Sequence, residues 1–216
     1  MKKKIVIFGS TGSIGKTIID ILKKDKNNIQ IPLLTTNKNY KELLNQIKIF
    51  KVKNIIVTNP NKYKIINDKL KNKKINIYNN FDCLDKIFKN KRIDYVMNAI
   101  TGLHGLKPTI KIIKFTKKIA IANKESIICG WPLIVKNLKK FKTDFIPVDS
   151  EHFSIWSLIN SIKDINIEKI IITASGGPFN NYPLNKFKKI TPKIALKHPN
   201  WKMGKKISID SATMMN

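Results

Sequence analysis

The sequence predicts an α/β protein in which a doubly wound parallel sheet is followed by an α+β region. Three observations lead to this prediction. Short runs rich in isoleucine and valine recur along the first 148 residues, these runs are continuously apolar rather than alternating, and most are followed by a lysine-rich stretch with helical spacing. Continuous apolar strands are typical of parallel sheets that are buried on both faces, and helices usually connect parallel strands.

The individual elements follow from these patterns in chain order. Residues 4–8 form an apolar run that ends at a glycine loop, and the spacing of Leu43, Leu44 and Ile47 is that of a helix with one apolar face. Strands are expected at residues 4–8, 29–34, 54–57, 75–78, 95–99, 119–122 and 145–148. Helices are expected at residues 13–24, 40–50, 106–115 and 126–138, and around Ile65, Ile66 and Leu70.

The pattern changes after Val148. A helix is expected at residues 151–162 and a strand at Lys169–Thr173, after which a long stretch containing Pro183, Pro192 and Pro199 shows little periodicity. We therefore expect a domain over residues 1–148 and a second, loop-rich region over residues 149–216.

The charge of the chain raises the question of nucleic-acid binding. The 216 residues carry 42 Lys and Arg against 14 Asp and Glu, a formal net charge of +28. Arg92 is the only arginine, although arginine is the preferred residue for bidentate contacts to phosphate and guanine. We therefore interpret the positive charge as lysines on solvent-exposed faces, of the kind that an AT-rich genome encodes in excess. Binding of nucleic acid stays open as a remote alternative explanation of the charge.

Composition also bounds the cellular context. No apolar run approaches the ~18–20 residues that a membrane span needs, and the first residues lack the apolar stretch of a signal peptide. The two cysteines, Cys83 and Cys129, are expected as buried or partly buried thiols in a reducing cytosol. We expect a cytoplasmic protein without membrane contact.

The strongest local motif is a glycine loop between the first strand and the first helix. Gly9, Gly12 and Gly15 permit a tight turn, and the helix start offers unpaired N–H groups to a pyrophosphate. The end of the second strand, residues 35–39, has threonines, asparagines and Lys38 but no carboxylate for a ribose 2′-hydroxyl. This loop suits a 2′-phosphate and favours NADPH over NADH; the alternative is an ordinary surface lysine.

Two further motifs follow predicted strands. Asn123, Lys124 and Glu125 open a helix at the edge of the sheet where parallel α/β folds bind ligands, although a polar first turn is also common in helices without function. Asp149 and Glu151 follow the strand at residues 145–148 and could hold Mg²⁺ or Mn²⁺, with Ser150 between them for a substrate hydroxyl. The alternative is an acidic helix start, where Asp149 caps and Glu151 complements the dipole.

The last 45 or so residues contain three segments of interest. Residues 175–178 read either as a phosphate-binding turn or as a simple turn. Residues 198–204 place His198 and Trp201 in a loop that could close over a ligand, whereas a lone histidine is more often structural. Residues 208–213 are rich in small hydroxyl side chains.

Together these segments resemble one family, 1-deoxy-D-xylulose 5-phosphate reductoisomerase of the non-mevalonate isoprenoid pathway. The resemblance rests on six motifs that occur in the family's order along essentially the whole chain. They are GSTGSIG at 9–15, ANKES at 122–126, PVDSEH at 147–152, SGGPF at 175–179, HPNWKMGKKIS at 198–208 and DSATMMN at 210–216. It implies a Rossmann-like NADPH domain followed by part of a catalytic, metal-binding domain.

The resemblance also implies roles for individual residues. The cofactor contacts carried over to this chain are Thr11, Gly12, Ser13, Ile14, Lys38, Asn39, Asn123, Glu125 and Gly204. The metal carboxylates are Asp149 and Glu151. The substrate contacts are Lys124, Ser150, Glu151, Ser175, His198, Ser211 and Asn216, of which Lys124, Glu151 and His198 are expected to be catalytic. The loop around Trp201 corresponds to a mobile flap.

The implied reaction is the NADPH-dependent isomerisation and reduction of 1-deoxy-D-xylulose 5-phosphate to 2-C-methyl-D-erythritol 4-phosphate. A divalent cation, Mn²⁺ or Mg²⁺, would polarise the ketone during retro-aldol cleavage and re-addition, and NADPH would supply the hydride. Family members continue past Asn216 into a lysine and a third metal ligand, so we expect a fragment of a longer, homodimeric enzyme. The alternative is an NADPH-binding remnant without turnover.

Overall fold

The structure is a computed structural model that describes residues 2–162, 166–202 and 204–213. Residue 1, residues 163–165, residue 203 and residues 214–216 lie outside this description. The chain forms two compact units, residues 1–149 and residues 150–216.

Within the described residues of the first unit, seven strands form one parallel sheet. In chain order they are β1 (Lys3–Phe8), β2 (Ile29–Thr36), β3 (Asn54–Val57), β4 (Asn76–Tyr78), β5 (Ile93–Asn98), β6 (Thr116–Ile121) and β7 (Asp144–Pro147). Their order across the sheet is β4-β3-β2-β1-β5-β6-β7. The predicted doubly wound α/β fold is confirmed, and each of the seven expected strands overlaps an observed one.

Six helices connect the strands of this sheet. They are α1 (Ser13–Lys23), α2 (Tyr40–Phe50), α3 (Pro60–Leu70), α4 (Leu84–Phe88), α5 (Leu106–Ile113) and α6 (Lys124–Phe141). Helix α6 begins two residues before the predicted start because the side chain of Asn123 accepts a hydrogen bond from the backbone N–H of Ser126 and caps the helix. The expected helix around Ile65, Ile66 and Leu70 is α3.

The core of the first unit lies in two apolar layers, one on each face of the sheet. Alternate residues of β1 point to opposite layers, with Val6 and Phe8 in one and Ile7 in the other. Helices α4, α5 and α6 cover the first layer, and α1, α2 and α3 cover the second. Burial on both faces explains why the strands read as continuous apolar runs.

The described residues of the second unit contain the α-helices α7 (Ser150–Ser161), α8 (Pro192–Ala195) and α9 (Lys205–Asp210), with short 3₁₀ turns at Gly177–Phe179 and Leu184–Lys189. The predicted strand at Lys169–Thr173 is wrong for this structure, because residues 166–176 have no regular secondary structure. A strand needs a neighbouring strand for its backbone hydrogen bonds, and the described part of this unit offers none. Ile170, Ile171 and Ile172 are consequently 53%, 70% and 51% exposed.

The two cysteines, both expected as buried or partly buried thiols, differ in their exposure. Cys83 is a partly buried free thiol, as expected, and burial raises its pKa to about 11. Cys129 is also a free thiol but is exposed, so its predicted burial is wrong. Among the described residues, no helix is long and apolar enough to cross a membrane.

Candidate functional site

The first unit gathers most of its candidate residues at one edge of the sheet. The glycine loop follows β1, residues 37–39 follow β2, residues 122–125 follow β6, and Asp149 comes two residues after β7. Since all strands are parallel, these segments leave the sheet at the same, carboxyl edge. The helices that follow β1 and β5 cover opposite faces, so a crevice for a ligand is expected between these two strands.

The glycine loop has no room for side chains at two of its glycines. Gly9 has φ = +73°, and a Cβ atom there would lie 2.8 Å from the carbonyl oxygen of Ala99. A Cβ atom on Gly15 would lie 2.3 Å from the carbonyl oxygen of Gly9. The loop therefore turns tightly and brings the start of α1, capped by Gly12, against the carboxyl edge of the sheet.

The loop after β2 is tied to the glycine loop by threonine hydroxyls. The backbone N–H of Gly9 donates to Oγ1 of Thr35 over 2.8 Å, and Oγ1 of Thr11 lies 2.6 Å from Oγ1 of Thr36. Lys38 and Asn39 come directly after this anchored strand end, and Lys38 is exposed. The Asn39 side chain also accepts from the N–H of Glu42 and caps α2.

One segment of this edge was not singled out by the sequence reasoning. Asn98 is the last residue of β5 and is fully buried. Its side-chain nitrogen donates to the carbonyl oxygen of Gly105 over 2.9 Å and to Oγ1 of Thr109 over 2.6 Å. Its side-chain oxygen accepts from the backbone N–H of Ile100. These bonds fix the segment that begins at Ala99, whose carbonyl oxygen lies next to Gly9. The sequence signal was available, because residues 99–105 follow the strand that neighbours β1 in a doubly wound sheet.

The start of α6 carries an unusual buried amide. Asn123 is 6% exposed, and its Nδ2 atom has no hydrogen-bond partner among the described residues. A buried donor without a partner is unfavourable by about 1–3 kcal/mol, so Nδ2 is well suited to donate to a ligand. Next to it, Nζ of Lys124 lies 3.7 Å from Oδ1 of Asp149, and both side chains are about one-fifth exposed.

These observations fit a dinucleotide at the carboxyl edge. The glycine loop leaves space for close backbone approach, Lys38 supplies a cation beyond β2, and Asn123 supplies a buried donor. The residues predicted to bind a metal ion form a less complete site than those predicted to bind the nucleotide. Within the described ranges no group of three or more His, Cys, Asp or Glu side chains is placed to hold a metal ion, and the carboxylate pair Asp149 and Glu151 falls on either side of the unit boundary.

The second unit brings together Ser175, His198 and the backbone of Ser211. Oγ of Ser175 lies 2.9 Å from Nε2 of His198 and also 2.9 Å from the carbonyl oxygen of Ser211, to which it donates. Nδ1 of His198 accepts from the backbone N–H groups of Asn200 and Trp201. An accepting Nδ1 requires the proton on Nε2, so the imidazole donates to Ser175 and cannot take its proton.

Two glycines shape this cluster. Gly176 and Gly177 have φ = +73° and +60°, and a Cβ atom on the buried Gly177 would lie 2.4 Å from Cβ of Ala212. The turn after Ser175 therefore packs closely against the segment that contains Ser211. His198 is 8% exposed and stacks on Trp201 at 4.6 Å between ring centres.

The remaining candidates are placed as follows. Oγ of Ser150 donates to the carboxylate of Glu151 over 2.7 Å, and Gly204 caps α9. Thr11, Gly12, Ser13 and Ile14 lie in the glycine loop and at the start of α1, and Glu125 lies in the first turn of α6. Asn216 lies outside the described residues.

The seven-stranded parallel sheet with helices on both faces defines the Rossmann-like class of α/β proteins. Comparison with known families is more specific. Residues 5–130 match the family described as 1-deoxy-D-xylulose 5-phosphate reductoisomerase, and residues 145–216 match the C-terminal domain described for the same family. The chain belongs to the 1-deoxy-D-xylulose 5-phosphate reductoisomerase family.

Individual relatives agree with this assignment. The reductoisomerase of Pelagibacter ubique is 66% identical over 215 residues, 99% of this chain and 55% of that protein. A Wolbachia pipientis relative of the same name is 43% identical over 99% of this chain and 54% of that protein. This chain thus spans about half the length of the curated relatives that it matches.

Solved structures of the family have the same fold. The Zymomonas mobilis enzyme in complex with NADPH superimposes with a TM-score of 0.84 at 34% identity, covering 100% of this chain and 55% of that chain. A reductoisomerase in complex with NADPH, fosmidomycin and magnesium gives a TM-score of 0.80 at 32% identity, covering 99% of this chain and 55% of that chain.

Proposed function

We propose that this chain provides the NADPH-binding part, and a portion of the metal- and substrate-binding part, of an enzyme that converts 1-deoxy-D-xylulose 5-phosphate to 2-C-methyl-D-erythritol 4-phosphate. The observation that carries the proposal is the carboxyl edge of the sheet. There, the glycine loop, the Lys38 loop and the buried donor of Asn123 come together in a chain that belongs to the reductoisomerase family. The domain boundary is proposed between residues 148 and 149.

The nucleotide contacts divide among the loops of the first unit. The N–H groups of Thr11, Ser13 and Ile14 would bind the pyrophosphate at the start of α1, where Gly12 allows close approach while its own N–H donates to the carbonyl oxygen of Gly9. Lys38 with Asn39 would bind the 2′-phosphate. Asn123 and Glu125 would contact the cofactor from the start of α6, and Gly204 would contact it from the second unit. The geometry on which this rests is the pair of neighbouring strands β1 and β5, whose following helices cover opposite faces of the sheet.

Metal and substrate residues come from both units. Asp149 and Glu151 would hold Mg²⁺ or Mn²⁺, and Lys124, Ser150 and His198 would contact the sugar phosphate. When bound, the cation supplies a Lewis acid for the ketone and NADPH supplies the hydride.

The residues proposed to bind the substrate phosphate lie in the second unit. Ser175 and Ser211, together with Asn216 beyond the described residues, would bind the substrate phosphate. His198 directs its Nε2–H at the Ser175 hydroxyl, and that hydroxyl donates its own hydrogen to the carbonyl oxygen of Ser211, so the imidazole does not activate Ser175 as a nucleophile. A bound phosphate dianion would replace the Ser211 carbonyl as the acceptor of the Ser175 hydroxyl, because a hydrogen bond to a charged acceptor is the stronger one.

We also propose a cytoplasmic homodimer for the complete enzyme, with no membrane or nucleic-acid partner. The near absence of arginine and the even spread of lysine along the chain support the last point. Steeply salt-dependent binding of DNA or RNA at physiological ionic strength would contradict it.

The first experiment measures NADPH binding by quenching of tryptophan fluorescence in the 216-residue chain. We expect binding that is tighter for NADPH than for NADH. Equal affinities, or no binding, would contradict the proposed cofactor site.

The second experiment measures turnover. The chain is mixed with the remaining portion of the Pelagibacter relative, substrate, NADPH and Mn²⁺, and NADPH oxidation is followed. Asp149→Asn and Glu151→Gln should each lower the rate by orders of magnitude and leave NADPH affinity nearly unchanged. The matched controls are the exposed residues Asp144→Asn and Glu168→Gln, which should retain the rate. Full activity of either metal-site variant at low Mn²⁺ would refute the metal assignment, and binding without any turnover would favour an NADPH-binding remnant.

A further inference from the structure

Helix α2 contains a fully buried glutamine that no motif singled out. Gln46 is 0% exposed and lies beside Leu43 and Ile47 on the face of α2 that packs on the sheet. A neutral amide in such an apolar layer is unfavourable unless its donors and acceptor are bonded. Where its hydrogen bonds go therefore shows what the residue does.

The Gln46 amide holds Ser10 of the glycine loop from two sides. Oε1 of Gln46 accepts from the Ser10 hydroxyl over 2.7 Å, and Nε2 of Gln46 donates to the Ser10 carbonyl oxygen over 3.0 Å. Ser10 is itself 0% exposed, and its backbone N–H donates to the carbonyl oxygen of Thr35 over 3.0 Å. The second residue of the glycine loop is thus fixed by α2 and by β2.

The position of Ser10 determines the shape of the whole loop. A Cβ atom on Gly15 would lie 2.6 Å from Cα of Ser10, so the first turn of α1 packs directly on this residue. A displacement of Ser10 would move the start of α1, where the N–H groups for the pyrophosphate lie.

The same amide reaches towards the other nucleotide loop. The second hydrogen on Nε2 of Gln46 donates to the carboxylate of Glu42 over 3.1 Å. The backbone N–H of Glu42 in turn donates to the side chain of Asn39, the capping residue of α2 that follows Lys38. One connected series of hydrogen bonds therefore joins Ser10 to Asn39.

We infer that Gln46 is a positioning residue for the dinucleotide, and that it sets the glycine loop at a fixed distance from the Lys38–Asn39 segment. This inference rests on the proposed NADPH site. It assigns no contact between Gln46 and the nucleotide, because the side chain is buried and all of its hydrogen-bonding groups are used within the protein.

The test compares Gln46→Met with two controls on α2 in the 216-residue chain. Met keeps the length of the side chain and removes its hydrogen bonds. Leu43→Met changes buried packing at a fully buried neighbour without removing a hydrogen bond, and Asn45→Met places the same side chain at an exposed position. Dissociation constants are measured for NADPH, NADH and 2′-AMP below the unfolding temperature of each variant.

Gln46→Met should weaken the binding of NADPH and of NADH in parallel, by about tenfold or more, because both carry the pyrophosphate. The buried carbonyl oxygen of Ser10 loses the donor on Gln46, and the Ser10 hydroxyl keeps only the more distant carbonyl oxygen of Thr35, at 3.3 Å. Binding of 2′-AMP, which lacks the pyrophosphate, should change by less than about threefold. Both controls should bind all three nucleotides like the unsubstituted chain. The double variant Ser10→Ala, Gln46→Met should raise the dissociation constant for NADPH by less than the product of the two fold-changes that the single variants cause.

Each outcome separates the inference from the proposed function. If the unsubstituted chain binds no NADPH, the proposed site and this inference both fail. If the unsubstituted chain binds NADPH and Gln46→Met binds it equally well, only the inference is overturned. Equal weakening of all three nucleotides, or the same loss in Leu43→Met, would also overturn it, because either result shows general damage to packing.

Discussion

The two units of the chain use similar apolar residues with opposite results. In the first unit, isoleucines such as Ile55 and Ile119 are fully buried between sheet and helices. In the second unit, Ile170, Ile171 and Ile172 form a run of the same composition and are each more than half exposed. The difference is one of partners, because an apolar run becomes a buried strand only when neighbouring strands and helices cover it.

This contrast bears directly on function. The first unit contains the glycine loop, the Lys38 loop and Asn123 on one continuous sheet, so the proposed nucleotide site rests on a packed core. The second unit contains the Ser175–His198 cluster beside poorly covered apolar segments. The curated relatives are almost twice as long as this chain, and in them we expect the additional portion to cover the segments that correspond to these.

The largest expected difference between the units is in the cost of truncating an isoleucine. Ile55→Ala in β3 should lower the free energy of unfolding by about 2–5 kcal/mol, because it leaves a cavity in a closed core. Ile171→Ala, at 70% exposure, should change it by less than about 0.5 kcal/mol. Chemical denaturation followed by circular dichroism measures both. Similar losses in the two variants would show that residues 170–172 are packed after all.

A smaller effect is expected from adding one methyl group at a glycine. Gly15→Ala should lower the free energy of unfolding by about 1–3 kcal/mol and weaken NADPH binding, because the Cβ atom meets backbone at 2.3 Å and 2.6 Å. Gly204→Ala in the second unit has open space around its Cβ atom and an ordinary φ of −60°, so its stability should stay within about 0.5 kcal/mol. An unaffected Gly15→Ala variant would refute the close approach in the glycine loop.

The third prediction concerns the choice of nucleotide. Lys38→Glu should lower the affinity for NADPH by about tenfold and leave the affinity for NADH nearly unchanged, because only NADPH carries the 2′-phosphate. Lys188→Glu makes the same charge change at an exposed site in the second unit and serves as the control. If both variants weaken NADPH equally, the effect comes from net charge and not from a specific contact.

The smallest effect is electrostatic. The pKa of the Asp94 carboxyl lies below its ordinary value, chiefly because the Lys117 ammonium donates a hydrogen bond to it and also because the backbone N–H of Lys4 does so. A lowered pKa in the folded state stabilises the fold above the ordinary pKa of about 4, and this contribution disappears as the pH falls through the lowered value.

Asp94→Asn should therefore lower the free energy of unfolding at pH 7 by about 0.2–1 kcal/mol and change it little at pH 2. A double-mutant cycle with Lys117→Gln isolates the ion pair. A loss that is as large at pH 2 as at pH 7 would mean that the effect is not electrostatic.

Much of the first unit could be predicted from its residues, for a physical reason. The apolar run of β1, the helical spacing of α2 and the turn at Gly9 are each dictated within a few residues of sequence. The parallel arrangement then follows from the order of strands and helices, and it places the nucleotide loops at one edge without further information.

What the sequence did not predict depends on contacts between distant residues. Gln46 occurs in a helix with an apolar face, and only the structure shows that its partner is Ser10, 36 residues earlier. Asn98 likewise acquires its role through Gly105 and Thr109. The prediction of a strand at Lys169–Thr173 was wrong because it rested on local β propensity alone. A strand also needs a neighbouring strand, and the described part of the second unit has none.

Amide hydrogen exchange in the 216-residue chain tests this difference between the units most directly. Amides of Val6, Ile56 and Val96 in the sheet should exchange slowly, and NADPH should slow exchange further in the glycine loop. Amides of Ile170–Ile172 should exchange at rates close to those of an unstructured peptide, with or without NADPH. Protection of Ile170–Ile172 equal to that of the sheet would contradict the account, because it would show that the second unit buries its apolar run without any further partner.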